Sequence, residues 1–250
     1  MGRLLNKLMI AVLCVVASKA AWAQDTSRVG PKPPVYAEYK GDTSYTRFNK
    51  NRGPVARAQI NRLKNGALLV RLKTNQKAID RLKAAGNMDL ATQVERETQL
   101  TNKQIIKAYQ ANFKFCPVYF FFSQYSDSVK HQHLDGIFTD TTLLVNPNIV
   151  CHASFYLVAE QGYICNSTLG LVPKELAETA HEEGAATKEV SIVVKNRYFI
   201  QLHEPFPYYQ KGYNMKKYAD FVKNLDERFQ KFYQESRGAV LAPELEVFVY

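Results

Sequence analysis

Tryptophan is almost missing from this chain of 250 residues: Trp22 is the only one. Without tryptophan beyond that point, the most effective stacking side chain for sugars is unavailable. Four cysteines, Cys14, Cys116, Cys151 and Cys165, stand too far apart for a redox or zinc-knuckle motif. No Gly-x-Ser-x-Gly elbow surrounds any serine, which argues against an α/β-hydrolase nucleophile. No glycine-rich phosphate loop precedes a helix, which argues against a nucleotide enzyme. No run approaches about eighteen apolar residues, so no segment reads as a membrane span. There is no internal repeat.

What is present begins with an address. Arg3 and Lys7 form a positive start, Leu8 to Ala17 an apolar stretch, and Ala21-Trp22-Ala23 a small-x-small cleavage site before Gln24. Residues 1–23 therefore read as a signal peptide, and the mature chain as periplasmic or secreted. Leu13, rather than a small residue, precedes Cys14, so a lipoprotein is not expected. Cleavage removes Trp22 together with Arg3, Lys7 and Lys19, taking the formal charge from +10 to +7.

The remaining charge is uneven. Residues 24–83 carry 14 Lys/Arg against 4 Asp/Glu, and residues 84–250 carry 16 against 19. Residues 24–65 are also rich in turn formers, from Pro31, Pro33 and Pro34 to Gly53 and Pro54, and read as a basic N-terminal arm with a short helix over Val55–Leu63. Arg47, Lys50, Arg52, Arg57, Arg62 and Lys64, with Tyr45 and Phe48 among them, can grip an anionic partner. In an exported protein that partner is an anionic envelope component or another envelope protein rather than nucleic acid. The alternative is a solvated arm that only keeps the chain soluble.

Residues 66–250 read as a single domain organised on Gly66–Ser123. Ala67–Leu72 and Cys116–Phe122 are apolar runs of strand length, separated by amphipathic helical sequence. Gly86-Asn87-Met88 divides that sequence into two helices, with Thr74 and Asp89 as N-caps and Ala78, Ile79, Leu82 and Ala85 on the buried face. A connection this long can return the second strand parallel to the first. Further on, Gly136–Phe138 and Leu143–Val145 suggest minor strands and Ser154–Ala159 a major one that turns at Gly162. Pro173–Glu182 suggests a helix, and Val190–Val194 with Tyr198–Leu202 a hairpin or one long strand. Tyr218, Phe221, Val222, Leu225, Phe229, Phe232 and Tyr233 mark an amphipathic final helix, capped by Asn214 and ended by Gly238. Glu246–Tyr250 would add an edge strand. The fold class is α/β or α+β: a mixed, partly parallel sheet with a two-helix crossover and a C-terminal amphipathic helix packed on it.

Three sets of residues carry candidate chemistry. At the carboxyl ends of the first two strands, Thr74, Asn75, Ser123, Ser126 and Asp127 would converge on a ligand if those strands are neighbours. Helix starts there favour an anion, while simple capping explains the same residues. Second, His131-Gln132-His133-Leu134-Asp135 resembles the first metal-binding motif of the metallo-β-lactamase superfamily. That resemblance implies zinc held by His131, His133 and Asp135 and a metal-bound hydroxide. Gly136 stands where that family places a further histidine. On a continuous helix the two imidazoles would also point about 200° apart. Third, Cys151 and Cys165 flank one strand and form the more plausible disulfide pair of an exported chain, with Cys116 packed as a small hydrophobe. Phe206, Tyr208, Tyr209 and Tyr213 cluster near the final helix and are expected to pack on it.

The sequence thus points to an exported, non-catalytic binding protein of the envelope, with no cofactor. The competing readings are a metal-assisted hydrolase using zinc and a structural subunit of an envelope assembly.

Overall fold

The computed structural model describes residues 43–165, 186–211 and 215–249. The leader, residues 24–42, the helix expected over Pro173–Glu182, Tyr213 and the Asn214 cap lie outside them. The chain opens with two helices, α1 (Thr43–Lys50) and α2 (Arg52–Lys64), and enters the sheet at β1 (Ala67–Leu72). It then passes through α3 (Gln76–Ala84) and α4 (Met88–Asn112) to β2 (Val118–Phe122), α5 (Ser126–Lys130) and β3 (Phe138–Thr139). After it come β4 (Tyr156–Cys165), β5 (Ala186–Lys195), β6 (Tyr209–Gln210) and α6 (Tyr218–Ser236). Among the described residues these strands form one sheet in the order β3-β2-β1-β4-β5-β6. β1 is parallel to both β2 and β4, and the outer pairs are antiparallel. The protein is an α/β fold on a mixed sheet, with a two-helix crossover from β1 to β2 and the final helix packed on it.

Period-two alternation divides β1 between two cores. Leu68, Val70 and Leu72 face the larger one, with Phe120, Leu157 and Ala159 from the flanking strands. α2, the second half of α4 and α6 cover that face. Ala67 and Leu69 face the smaller core with Phe121, Tyr156 and Val158, under α5 and the loops near β3. Burial on both faces is why β1 reads as a continuous apolar run. Within the larger core Phe229 of α6 sits edge-on to Phe113, Phe115 and Phe206, at 5.8, 5.6 and 5.4 Å between ring centres. Each such pair adds about 0.5–1.5 kcal/mol beyond the area it buries. Asp226, one turn earlier, accepts the backbone N–H groups of Lys114 and Phe115 at 2.7 Å each. Those bonds fix the chain as it turns from α4 into β2. Phe206 also meets Phe232, and Arg228 of α6 lies over the Tyr209 ring, so these two members of the aromatic cluster pack on α6.

Several local expectations are corrected. Residues 43–64, assigned to the arm, form α1 and α2; the helix expected over Val55–Leu63 lies within α2, but Phe48, Val55, Ala56, Ile60 and Leu63 pack in the larger core. Thr74 does not cap α3: Asn75 holds the N-cap position at φ 52°, and no side-chain cap bond forms. α4 starts at Met88, so Asp89 lies inside its first turn, where it favours the helix dipole. Of the face expected on α3 only Ile79 is buried. Gly86 does end α3, at φ 77°, with Asn87 N–H reaching Leu82 O and Gly86 N–H reaching Lys83 O, a Schellman closure. β4 does not turn at Gly162, which stays paired with Ser191. Pro243–Phe248 is a 3₁₀ turn rather than an edge strand.

Cys151 is a free thiol on the smaller core, and no disulfide is present among the described residues. The strand between Cys151 and Cys165 explains this. β4 is ten residues long and spans about 30 Å, far beyond the roughly 4.4–6.8 Å Cα separation of a disulfide.

Candidate functional site

β1 sends its chain towards β2 on one side, whereas β4 sends its chain to β5 on the other. The carboxyl end of β1, which meets the middle of β4 at Glu160, is therefore a topological switch point, and open sheets favour ligands at such points. Arg71, next to last on β1, is in register with Glu160 on β4. Both face away from the helical layer. Arg71 Nη1 donates to Glu160 Oε2 at 2.7 Å, and Lys195 Nζ, at the end of β5, donates to Glu160 Oε1 at 2.5 Å. The Glu160 side chain is only 10% exposed, against 32% for Arg71 and 22% for Lys195. One buried carboxylate thus braces two cations that keep a side open to solvent.

Hydroxyl groups from α5 and its approach complete the cluster. Arg71 Nε donates to Ser126 Oγ at 3.0 Å, and Ser126 Oγ donates to Ser123 O at 2.5 Å. Ser123 Oγ lies 3.2 Å from Thr74 Oγ1. Tyr156 O–H donates to Val129 O and so ties α5 to β4. Asn102 of α4 donates to Lys73 O and fixes the chain leaving β1.

Phe199 roofs these groups. Its ring lies 5.2 Å from the Arg71 guanidinium carbon and 5.8 Å from Lys130 Nζ, within cation–π range of both. Phe199 has φ 65°, a conformation costly for a bulky side chain. The turn that imposes it is held by Asn196, whose Oδ1 accepts Tyr198 N–H and Ile200 N–H and whose carbonyl accepts Phe199 N–H.

The electrostatics suit holding rather than proton transfer. Burial alone would push the Glu160 carboxyl up, but Lys195 and Arg71 outweigh it and hold it below the ordinary carboxylate range. An ionised, doubly paired carboxylate has no proton to give and little basicity. The thiols are further from reactive: burial pushes Cys116 up to about 12 and also raises Cys151.

Of the residues proposed from sequence, Thr74, Ser123 and Ser126 come together here. Asn75 turns away and donates to Thr98 Oγ1 at 2.8 Å. Asp127 is exposed and pairs with Lys130 at 3.0 Å. His131 and His133 do not point apart, because α5 stops at Lys130 and Gln132 takes φ 61°. Their rings stack at 6.2 Å. No group of three His, Cys, Asp or Glu placed to hold a metal ion, Asp135 included, occurs among the described residues.

The basic set of α1 and α2 is mostly engaged within the fold. Arg62 holds Glu246 through both carboxylate oxygens, Lys64 donates to Phe115 O, and Arg47 donates to Glu244 O. Arg52 lies over Phe48, and Lys50 and Arg57 are exposed. The residues that sequence reasoning missed are Arg71, Glu160, Lys195 and Phe199. Each charge sits inside or at the end of an apolar strand, in Leu68-Leu69-Val70-Arg71, Leu157-Val158-Ala159-Glu160 and Ile192-Val193-Val194-Lys195. A charge interrupting a strand buried on both faces must find a partner, and that was the available signal. Comparison with protein-family models, with curated proteins and with solved structures finds no match.

Proposed function

We propose that this chain is an exported, non-catalytic binding protein that captures an oxyanion, a phosphate or sulfate group carried by an envelope component, at the switch-point cluster. The observation that carries this reading is Glu160, buried and shared by Arg71 and Lys195 while both cations stay partly exposed. Two positive charges braced by one negative charge leave a net positive site, with Lys130 at its rim, for an anion to complete. The leader-like residues 1–23 support export. Among the described residues no helix is long and apolar enough to cross a membrane.

Calorimetric titration of the chain from Gln24 with inorganic phosphate and with sulfate tests the reading. One saturable site is expected, weakened about tenfold or more in Arg71→Gln and in Lys195→Gln, as loss of a charge-assisted hydrogen bond implies. Binding that survives both substitutions in a folded protein, or no binding at all, would overturn it. The same preparation, recovered after export, should start at Gln24 and show tyrosine-only fluorescence.

A further inference from the structure

The hairpin of α3 and the first half of α4 is thinly supported by the rest of the fold. Among the described residues α3 packs closely on α4 alone, and within Met88–Thr101 only Ala91 is buried. The two helices run antiparallel, because Asn75 donates to Thr98 Oγ1 and Asn102 donates to Lys73 O. Ile79 and Ala91 are the residues they bury.

A second apolar face is left open. Ala78, Leu82 and Ala85 recur at i, i+4 and i+7 along α3, and Leu90 and Val94 lie one turn apart on α4. At about 100° per residue, on antiparallel helices that meet through Ile79 and Ala91, both rows turn to the same side of the hairpin. The opposite side carries Gln76, Asp80 and Lys83 with Thr92, Glu95 and Gln99, all polar and exposed. On the apolar side Ala78 and Ala85 are exposed, Leu82 and Val94 half-buried, and Leu90 is 47% exposed. Met88, at the bend, is 56% exposed. An apolar stripe at helical spacing is made to be covered, and no element among the described residues covers this one.

We propose that this face pairs with the same face of a second copy of the chain, closing two hairpins into a four-helix bundle. The charges around it select that occupant. Lys77 and Arg81 edge the row on α3, and Glu97 continues the row on α4. None of the three enters an ion pair among the described residues. A twofold axis along the hairpin lays α3 of each copy over α4 of the other, so cations meet a carboxylate twice. On an anionic lipid surface the same Glu97 would be repelled. Ala78 and Ala85 are small enough for the helices to approach closely. The face is two helices wide and about 20 Å long. Two copies then bury on the order of 1,000 Å² in total, at the lower limit for a specific interface. The dimer is therefore weak.

Sedimentation equilibrium of the full chain from Gln24, loaded from about 5 to 500 μM, should show monomer and dimer with a Kd on the order of 10⁻⁴ M. Ala78→Glu and Leu90→Glu should each leave only monomer. Both lie in the first turn of a helix, where an acidic residue suits the dipole, so the fold survives them. Two further chains reverse the charges: one carries Lys77→Glu with Arg81→Glu, the other Glu97→Lys. Each alone should dimerise about tenfold more weakly, and their equimolar mixture should recover the parent affinity as a heterodimer. Arg71→Gln should leave the dimer unchanged, which separates this face from the switch-point cluster. Monomer at every concentration, a dimer that persists in Ala78→Glu and Leu90→Glu, or a mixture no tighter than its components would overturn the proposal. So would a parent chain that stays monomeric and binds phosphatidylglycerol vesicles unless Leu90→Glu is present, which would assign the face to a membrane.

Discussion

The turn from Asn196 to His203 separates two opposite solutions to buried polarity. On one side Phe199 covers a cluster in which Arg71, Lys195 and Ser126 all reach partners around Glu160. On the other side Arg52 and His203 line a cleft in which Nε and Nε2 reach none among the described residues. A paired cluster resists the loss of any one member, because removing it strands the rest. The contrast predicts that substitutions in the two regions differ in size and even in sign.

Glu160→Gln should have the largest effect. It leaves Arg71 and Lys195 facing a neutral amide beside a strand pair, and uncompensated charges of this kind cost about 3–5 kcal/mol. Solvent at the two cations moves the expectation towards the lower figure, about 3 kcal/mol, measured as a lowered urea midpoint at unchanged slope. A loss below about 1 kcal/mol would mean that the cluster behaves as a surface ion pair.

Acid should separate the regions along the pH axis. His203 is held down to about 4 from an ordinary 6.5, by burial first and Arg52 second. Because the unfolded chain takes up that proton more readily, stability is intact above about 6.5 and falls progressively towards 4. The full shift corresponds to at most about 3 kcal/mol. Glu160 is also depressed, so its contribution is present above the ordinary carboxylate range and is lost only as pH falls through its lower folded value. Thermal unfolding between pH 7 and 4 should therefore show a descent that flattens in His203→Gln. An identical profile in the variant would remove His203 as its source.

The framework was legible where information is local. Ala67–Leu72 and the α6 stripe announce themselves by period, and the length between β1 and β2 required a crossover. Of the helices α1 and α2 only the stretch Val55–Leu63 was, and its burial was not, because Phe48, Val55, Ala56, Ile60 and Leu63 are interleaved with Arg52, Arg57 and Arg62 and interrupted by Gly53 and Pro54. Their burial depends on α6 and the Pro243–Phe248 turn arriving from the far end of the chain, as in Asn61 reaching Ser236 O and Arg62 reaching Glu246. The candidate site divides the same way. Thr74, Ser123 and Ser126 follow from topology, since strand ends carry them. Arg71 with Glu160 and Lys195 is a register fact across three strands, and register is settled by pairing that no single stretch encodes.

Arg52→Leu should give the smallest and most diagnostic change. Leucine keeps an apolar stem against Phe48 while deleting a buried donor that has no acceptor among the described residues. Losing an unsatisfied group offsets the lost packing, so stability should stay within about 1 kcal/mol of the parent or rise slightly. The corresponding change in the paired region, Arg71→Leu, should be clearly destabilising because it strands Glu160. The variant also removes the charge that helps depress His203, so the imidazole should titrate above its parent value, with burial alone still holding it below 6.5. The His203 Cε1–H shift across pH 3–7 reads that directly. A titration that does not move upward would mean that Arg52 and His203 do not share one cleft electrostatically, and a large loss of stability would mean that Arg52 has a partner within the fold after all.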